Sequence, residues 1–166
     1  MERSELISNN KLSKDQRCEP QTVVHADKKD KKAVLRFYKE HHFTARFKGF
    51  DNTYFIKDGA QIIACVIVSQ ITLSNPQSLL HALFVDFNHQ KQGLAKLLLN
   101  TCKTHHHSIV LFASEQLANF YQKHGFSLVP QEKIKGILSD ELATRFTVYK
   151  NKQPDLVAFI WHMKNH

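Results

Sequence analysis

The stretch Ala82–Lys103, ALFVDFNHQKQGLAKLLLNTCK, constrains the fold of this chain more than any other. An apolar run closes at Val85, polar residues gather around the lone Gly93, and apolar residues then return at Leu94, Ala95, Leu98, Leu99 and Cys102. That second spacing puts one stripe along a helix, whereas the first run is too short and too continuous for one. The reading is a strand, a polar turn and a helix that starts near Lys91. A strand feeding a helix in this way belongs to layered α/β architectures.

The rest of the chain supplies the other layers. Thr22–Ala26 is a short strand, and Asp27 then caps a helix through KKDKKAVLRFYKEHH, with Val34, Leu35, Tyr38 and His41 or His42 on one face. TYFIKDGAQIIACVIVSQIT is a hairpin turning at Lys57-Asp58-Gly59, and Ser74-Asn75-Pro76 turns the chain into SLLHALFVD. SIVLFAS has the continuous apolar pattern of a strand buried on both faces. Ser114 next caps EQLANFYQKHG, whose Leu117, Phe120, Tyr121 and His124 share a face and whose Gly125 suits a left-handed helix end. FSLVP is a strand, Ser139 caps DELATRFTVYKNK, and DLVAFIWHM closes the chain as a strand. A mixed sheet with helices on both faces follows. Residues 1–20 read as a flexible tail and 21–166 as one domain, since 166 residues are too few for two comfortable cores.

Composition excludes several classes. No apolar run approaches the ~20 residues of a membrane span, and the polar N-terminus lacks the apolar centre of a secretory leader, so a cytoplasmic protein is expected. Cys18, Cys65 and Cys102 are odd in number and scattered, which encodes neither a disulfide framework nor a zinc site. His105-His106-His107 falls at a helix end where consecutive side chains diverge, with no acidic or Cys partner close in sequence, so a surface loop is expected and no metal. The net charge of +8 fits either a solvated basic surface or attraction to an anionic ligand, nucleic acid included. Charge alone does not separate these.

The corner itself has two readings. Backbone N–H groups at a helix N-terminus lack intrahelical partners and sit at the positive end of the helix dipole, so Gln90–Ala95 can hold a phosphate, with Gly93 allowing close approach and Lys91 and Lys96 adding charge. The other reading is a plain polar turn. Dinucleotide and nucleotide-triphosphate loops are not supported, because the glycine spacing is wrong for both.

VDFNHQKQGLAKLLL resembles the acetyl-CoA signature of the GNAT superfamily of N-acetyltransferases, Gln/Arg-x-x-Gly-x-Gly/Ala after a strand ending in Val, at Gln90, Gly93 and Ala95. ASEQLANFYQKHGFSLVP is similar to the family's later motif at Ala118, Phe120, Tyr121, Gly125 and Phe126. The element order fits from about residue 22 onward. Phe87 stands where the family often has Pro, and Glu115 where it often has Asn. The resemblance implies a central, mostly antiparallel twisted sheet of six to seven strands with helices on both faces. It also implies acetyl transfer from acetyl-CoA to a primary amine by direct attack in a ternary complex, without metal, by a monomer or a homodimer. The alternative is a non-catalytic acyl-CoA-binding module.

Carried over residue by residue, the resemblance puts the coenzyme A diphosphate on Gln90, Lys91, Gln92, Gly93, Leu94, Ala95 and Lys96. The thioester arm falls beside Leu83, Phe84 and Val85, in a splay between that strand and IVLFAS, with an N–H near Val85 polarising the acetyl carbonyl. Tyr121 becomes the general acid, against its plain role as a core aromatic. His81, four residues before Val85, is the candidate base, against a hydrogen-bonded structural histidine; water-mediated proton removal would need neither. Arg36, Lys39, Arg46 and Lys48 either flank the acceptor or form a solvated face. The helix after Ser139 is long for the family and would wall one side of the acceptor site, whose occupant is a small-molecule or peptide amine.

Overall fold

Seven strands join one sheet in the order β1-β2-β3-β4-β5-β7-β6. The computed structural model describes residues 20–46, 48, 51–71 and 74–165, so the tail expected before residue 20, and Cys18 with it, lies outside the described residues. The strands are β1 (Val23–His25), β2 (Asn52–Asp58), β3 (Gln61–Gln70), β4 (Gln77–Val85), β5 (Ser108–Ser114), β6 (Ser127–Val129) and β7 (Leu156–His162). The helices are α1 (Lys31–Glu40), α2 (Leu94–His105), α3 (Ala118–Lys123), α4 (Ile134–Ile137) and α5 (Asp140–Lys152). Every strand pair is antiparallel except β4 with β5. The sheet is therefore mixed and mostly antiparallel, as expected.

Local chemistry explains most boundaries. The Asp27 carboxylate accepts from the Lys29 amide in a reciprocal box with Asp30. Asp58 pairs with Gln61 across a two-residue loop in which Gly59 has φ +58°, a conformation a side chain resists. Ser139 accepts from the Leu142 amide, and Gly125 closes the α3 turn at φ +86°.

Three local readings need correction. The α2 helix begins at Leu94 and not near Lys91, because Lys91 and Gly93 both have left-handed φ, +62° and +79°, which no α-helix accommodates. On α1 the buried face is Val34, Phe37 and Tyr38, while Leu35 is exposed. The single helical turn α4 was not anticipated; it follows Pro130 and contains Gly136, both signals of loop.

The core has two sides. On one, Leu94, Leu98, Leu99 and Cys102 of α2 and Tyr121 of α3 pack on Tyr54, Val66, Val68, Leu80, Ile109, Leu111 and Phe159. On the other, α1 covers Phe55, Cys65 and Ile67, while Leu142, Ala143 and Phe146 of α5 cover Leu79, Val110 and Ala158. Helices α1 and α5 thus share a face, α1 packed on residues of β2 and β3 and α5 on residues of β4, β5 and β7. Cys65 and Cys102 are buried, and burial pushes both thiols up to about 12, which leaves them inert at neutral pH. No helix among the described residues is long and apolar enough to cross a membrane.

Candidate active site

Strands β4 and β5 run side by side only as far as Leu80 and Leu111. Beyond that point β5 continues to Ser114 against β7, while β4 continues to Val85 against β3. The two facing edges therefore part, and their backbone groups lose ladder partners on that side. A bulge drives the separation. Cys65 pairs with Phe84 and Ile67 with His81, so one residue of β3 faces both Ala82 and Leu83 of β4. Ala82 is held at φ +55°, costly for a residue with a side chain, and the buried Tyr38 hydroxyl of α1 donates to its carbonyl at 2.7 Å.

One cleft, of about 870 Å³, opens on the α2 and α3 face of this gap. Leu83, Phe84 and Val85 line it along β4; Gln90, Lys91, Gly93, Leu94, Ala95 and Lys96 line it at the turn; Tyr121 lines it from α3. All the residues expected to hold the coenzyme except Gln92 are thus brought together. Gln92 sits on the exposed side of the turn and is not part of the lining.

The turn is shaped for an anion. Left-handed Lys91 and Gly93 flank Gln92, an alternation of hand that aims successive N–H groups into one concavity. Gly93 offers α2 no side-chain cap, and the first backbone bond of the helix runs from the Leu97 amide to the Gly93 carbonyl at 3.1 Å. The amides of Leu94, Ala95 and Lys96 are accordingly left without helical acceptors. A Cβ on Gly93 would meet nothing within 4 Å, so the glycine serves its backbone angle and the open space before it. Lys91, Lys96 and Lys123 line the cleft, and no carboxylate does. The turn is braced from behind: the Asp86 carboxylate accepts from the Asn88 amide, and the Gln90 side chain donates to the Val85 carbonyl at 3.2 Å.

Tyr121 is 7% exposed and packs among Phe120, Phe126 and Phe159. Burial pushes its phenol up to about 12, so the proton stays on oxygen at neutral pH. The expected apolar face of α3 is real, but Leu117, Phe120 and His124 on it line the cleft as well. Glu115 and Phe87 do not line it.

His81 lies elsewhere. It belongs to a second cleft, of about 720 Å³, on the face between α1 and α5. Its Nε2 is 2.7 Å from the Ser69 hydroxyl, and burial holds its pKa below the ordinary 6.5, with Asp51 opposing and Arg145 adding to that effect. The imidazole is therefore neutral at pH 7 and free to accept a proton. His81 in the second cleft and Leu83 in the first stand two residues apart on β4, on either side of bulged Ala82. Both clefts therefore reach β4 beside the bulge.

Arg46 and Lys48 line the second cleft, and Arg36 and Lys39 do not. Helix α5 walls it with Arg145 and Tyr149, and Gln153 follows just beyond the helix, residues that no motif marked. Of the three consecutive histidines, His105 ends α2, and His106 and His107 follow in the short loop before β5, where the Tyr54 hydroxyl lies 3.0 Å from His106 Nε2. No group of three or more His, Cys, Asp or Glu among the described residues is arranged to hold a metal ion.

Comparison with known proteins agrees with this geometry. Residues 50–128 match the family profile of the acetyltransferase (GNAT) domain. No curated protein sequence matches the chain significantly. Among solved structures, an N-acetylglutamate synthase from Neisseria gonorrhoeae, complexed with coenzyme A and N-acetyl-glutamate, is 10% identical with a TM-score of 0.65 over 89% of this chain, which spans only 36% of that enzyme. A GNAT-family acetyltransferase from Streptococcus pneumoniae is 13% identical with a TM-score of 0.64, over 87% of this chain and 100% of the other. A Bacillus anthracis protein in complex with acetyl coenzyme A is 14% identical with a TM-score of 0.58, over 88% of this chain and 100% of the other. At these identities the likeness is one of fold, and the profile match over residues 50–128 adds a sequence likeness to the acetyltransferase (GNAT) domain.

Proposed function

We propose that the protein is an acetyl-CoA-dependent N-acetyltransferase that passes an acetyl group directly to an amine held in the second cleft. The observation that carries this reading is the uncapped, left-handed entrance to α2 opening at the foot of the β4–β5 splay, in one cleft with Tyr121. Acetyl-CoA, when bound, supplies the thioester carbonyl that the amine attacks.

The chain's own residues divide the remaining work. Amides of the turn and of Leu94, Ala95 and Lys96 bind the diphosphate, and the alternating hand of Lys91 and Gly93 orients them before any ligand arrives. The edge of β4 beyond Leu80, freed by the bulge, offers backbone groups to the pantetheine arm, with an N–H near Val85 placed to stabilise charge on the acetyl oxygen. His81 takes the proton of the incoming amine, directly or through water, from the opposite side of the sheet. Tyr121 holds its proton at the phenolic oxygen until the departing sulfur needs it. The N-acetyl-glutamate and coenzyme complexes of structural neighbours are in keeping with two ligands meeting in such a fold.

The test is release of free thiol from acetyl-CoA in the presence of an amine panel, with Tyr121→Phe as the informative variant. Coenzyme affinity is expected to survive in Tyr121→Phe while kcat falls about 100-fold. Intact coenzyme binding with no turnover by the parent on any amine would leave a binding module in place of an enzyme.

A further inference from the structure

The second cleft also carries information about what it accepts, and the inference drawn from it rests on the acetyltransferase reading above. Its floor is made by the middle strands: His81 and Ser69, hydrogen-bonded at 2.7 Å, lie beside apolar Leu79 and Phe112. Its rim is cationic on both sides. Arg46 reaches it from the segment between α1 and β2, and Arg145 from α5, so two separate elements each contribute a guanidinium. Neither has a carboxylate partner among the described residues. The one acid of the lining, Asp51, is already engaged, accepting from the Lys48 amide at 2.6 Å.

We propose that the acceptor is a small amine that also bears an anionic group, a carboxylate or a phosphate ester, held by Arg46 and Arg145 while the amine reaches His81. Three physical points support this class. A guanidinium presents paired donors matched to either oxyanion. Two guanidiniums repel a second ammonium group, which selects against diamines and polyamines. The same cations lower the pKa of the amine about to react and so raise its neutral, nucleophilic fraction.

The experiment uses the full chain with acetyl-CoA and matched acceptor pairs. Phenylalanine against phenylalaninamide tests the carboxylate, O-phosphoethanolamine against ethanolamine tests the phosphate, and putrescine tests the diamine. The anionic member of one pair is expected to exceed its neutral partner by at least about 10-fold in kcat/KM, which is the range of one charge-assisted hydrogen bond. Arg46→Gln and Arg145→Gln, both at exposed positions, should each reduce that preference about 10-fold through KM while the affinity for coenzyme A is unchanged. Which pair responds identifies carboxylate or phosphate as the anion. Equal rates within both pairs, or a preference that survives both substitutions, overturn the inference and leave acetyl transfer standing. If the coenzyme binds without turnover, calorimetric titration of the coenzyme-loaded chain with the same pairs decides, and equal or absent binding rejects the anionic acceptor. Failure of the coenzyme itself to bind removes the enzyme reading and this one together.

Discussion

Gly93→Ala, paired with Gly59→Ala, separates what the turn before α2 does for folding from what it is proposed to do for binding. Both glycines have left-handed φ, +79° and +58°, and at neither would a Cβ meet any atom within 4 Å. Each substitution therefore costs mainly the backbone penalty of a side chain in that region, about 1–2 kcal/mol. For a domain of this size that lowers Tm by about 2–8 °C. The positions differ in one respect: Gly59 turns a hairpin, whereas Gly93 lines the cleft at the uncapped end of α2. Coenzyme A at a hundred times its Kd stabilises the parent by about 2.7 kcal/mol. The new methyl of Gly93→Ala stands where the diphosphate must approach, and a 10-fold weaker Kd halves that gain to about 1.4 kcal/mol. Thermal melts with and without coenzyme A read both quantities. Gly59→Ala should keep the full ligand-induced shift and Gly93→Ala should lose about half of it or more. Equal shifts in the two variants would refute the assignment of this turn to the diphosphate.

Other perturbations probe the bulge and the histidines. Tyr38→Phe removes the donor to the Ala82 carbonyl, and urea unfolding should show a loss of about 1–3 kcal/mol; a loss below about 0.5 kcal/mol would mean the bulge does not depend on that bond. His81 is held neutral by burial, so kcat/KM should rise with pH through a folded pKa below 6.5 and then level. His81→Gln should abolish that acid limb and lower kcat about 100-fold, and an unchanged limb would assign it to another group. His106 is depressed from 6.5 to about 4, first by burial and then by neighbouring histidines. Between those values the unfolded chain binds the extra proton, so stability should fall as pH drops from 6.5 to about 4 and level below it. His106→Asn should flatten that part of the urea-midpoint profile; an unaltered slope would point to other groups.

Much of this architecture is legible in linear order, because its signals are local. Asp27, Ser114 and Ser139 cap where a cap must stand, Asp58-Gly59 turns a hairpin, and Gly125 ends a helix in the hand only glycine takes easily. The turn proposed to bind the coenzyme is local in the same way: the donors it offers are consecutive main-chain amides. Other features left weaker traces. Leu35 and Phe37 both suit a helix face, and only the position of β3 decides that Phe37 is the one covered. Ala82 looks like any strand residue, yet it has a left-handed angle and its carbonyl accepts from a hydroxyl contributed by α1. Arg145 and Tyr149 of α5 and Gln153 just after it carry no motif, and only the packing of α5 against the sheet brings them to a cleft.

By itself, then, the sequence determined the strands, four of the five α-helices and the strand–turn–helix corner, since hydrophobic period and turn chemistry act over a few residues and need no distant partner. Tertiary structure alone decided that β4 and β5 part after Leu80 and Leu111, that His81 and Tyr121 line different clefts, and that Arg46 and Arg145 line one cleft. Those outcomes depend on register between strands far apart in the chain, where one inserted residue re-aims every side chain beyond it.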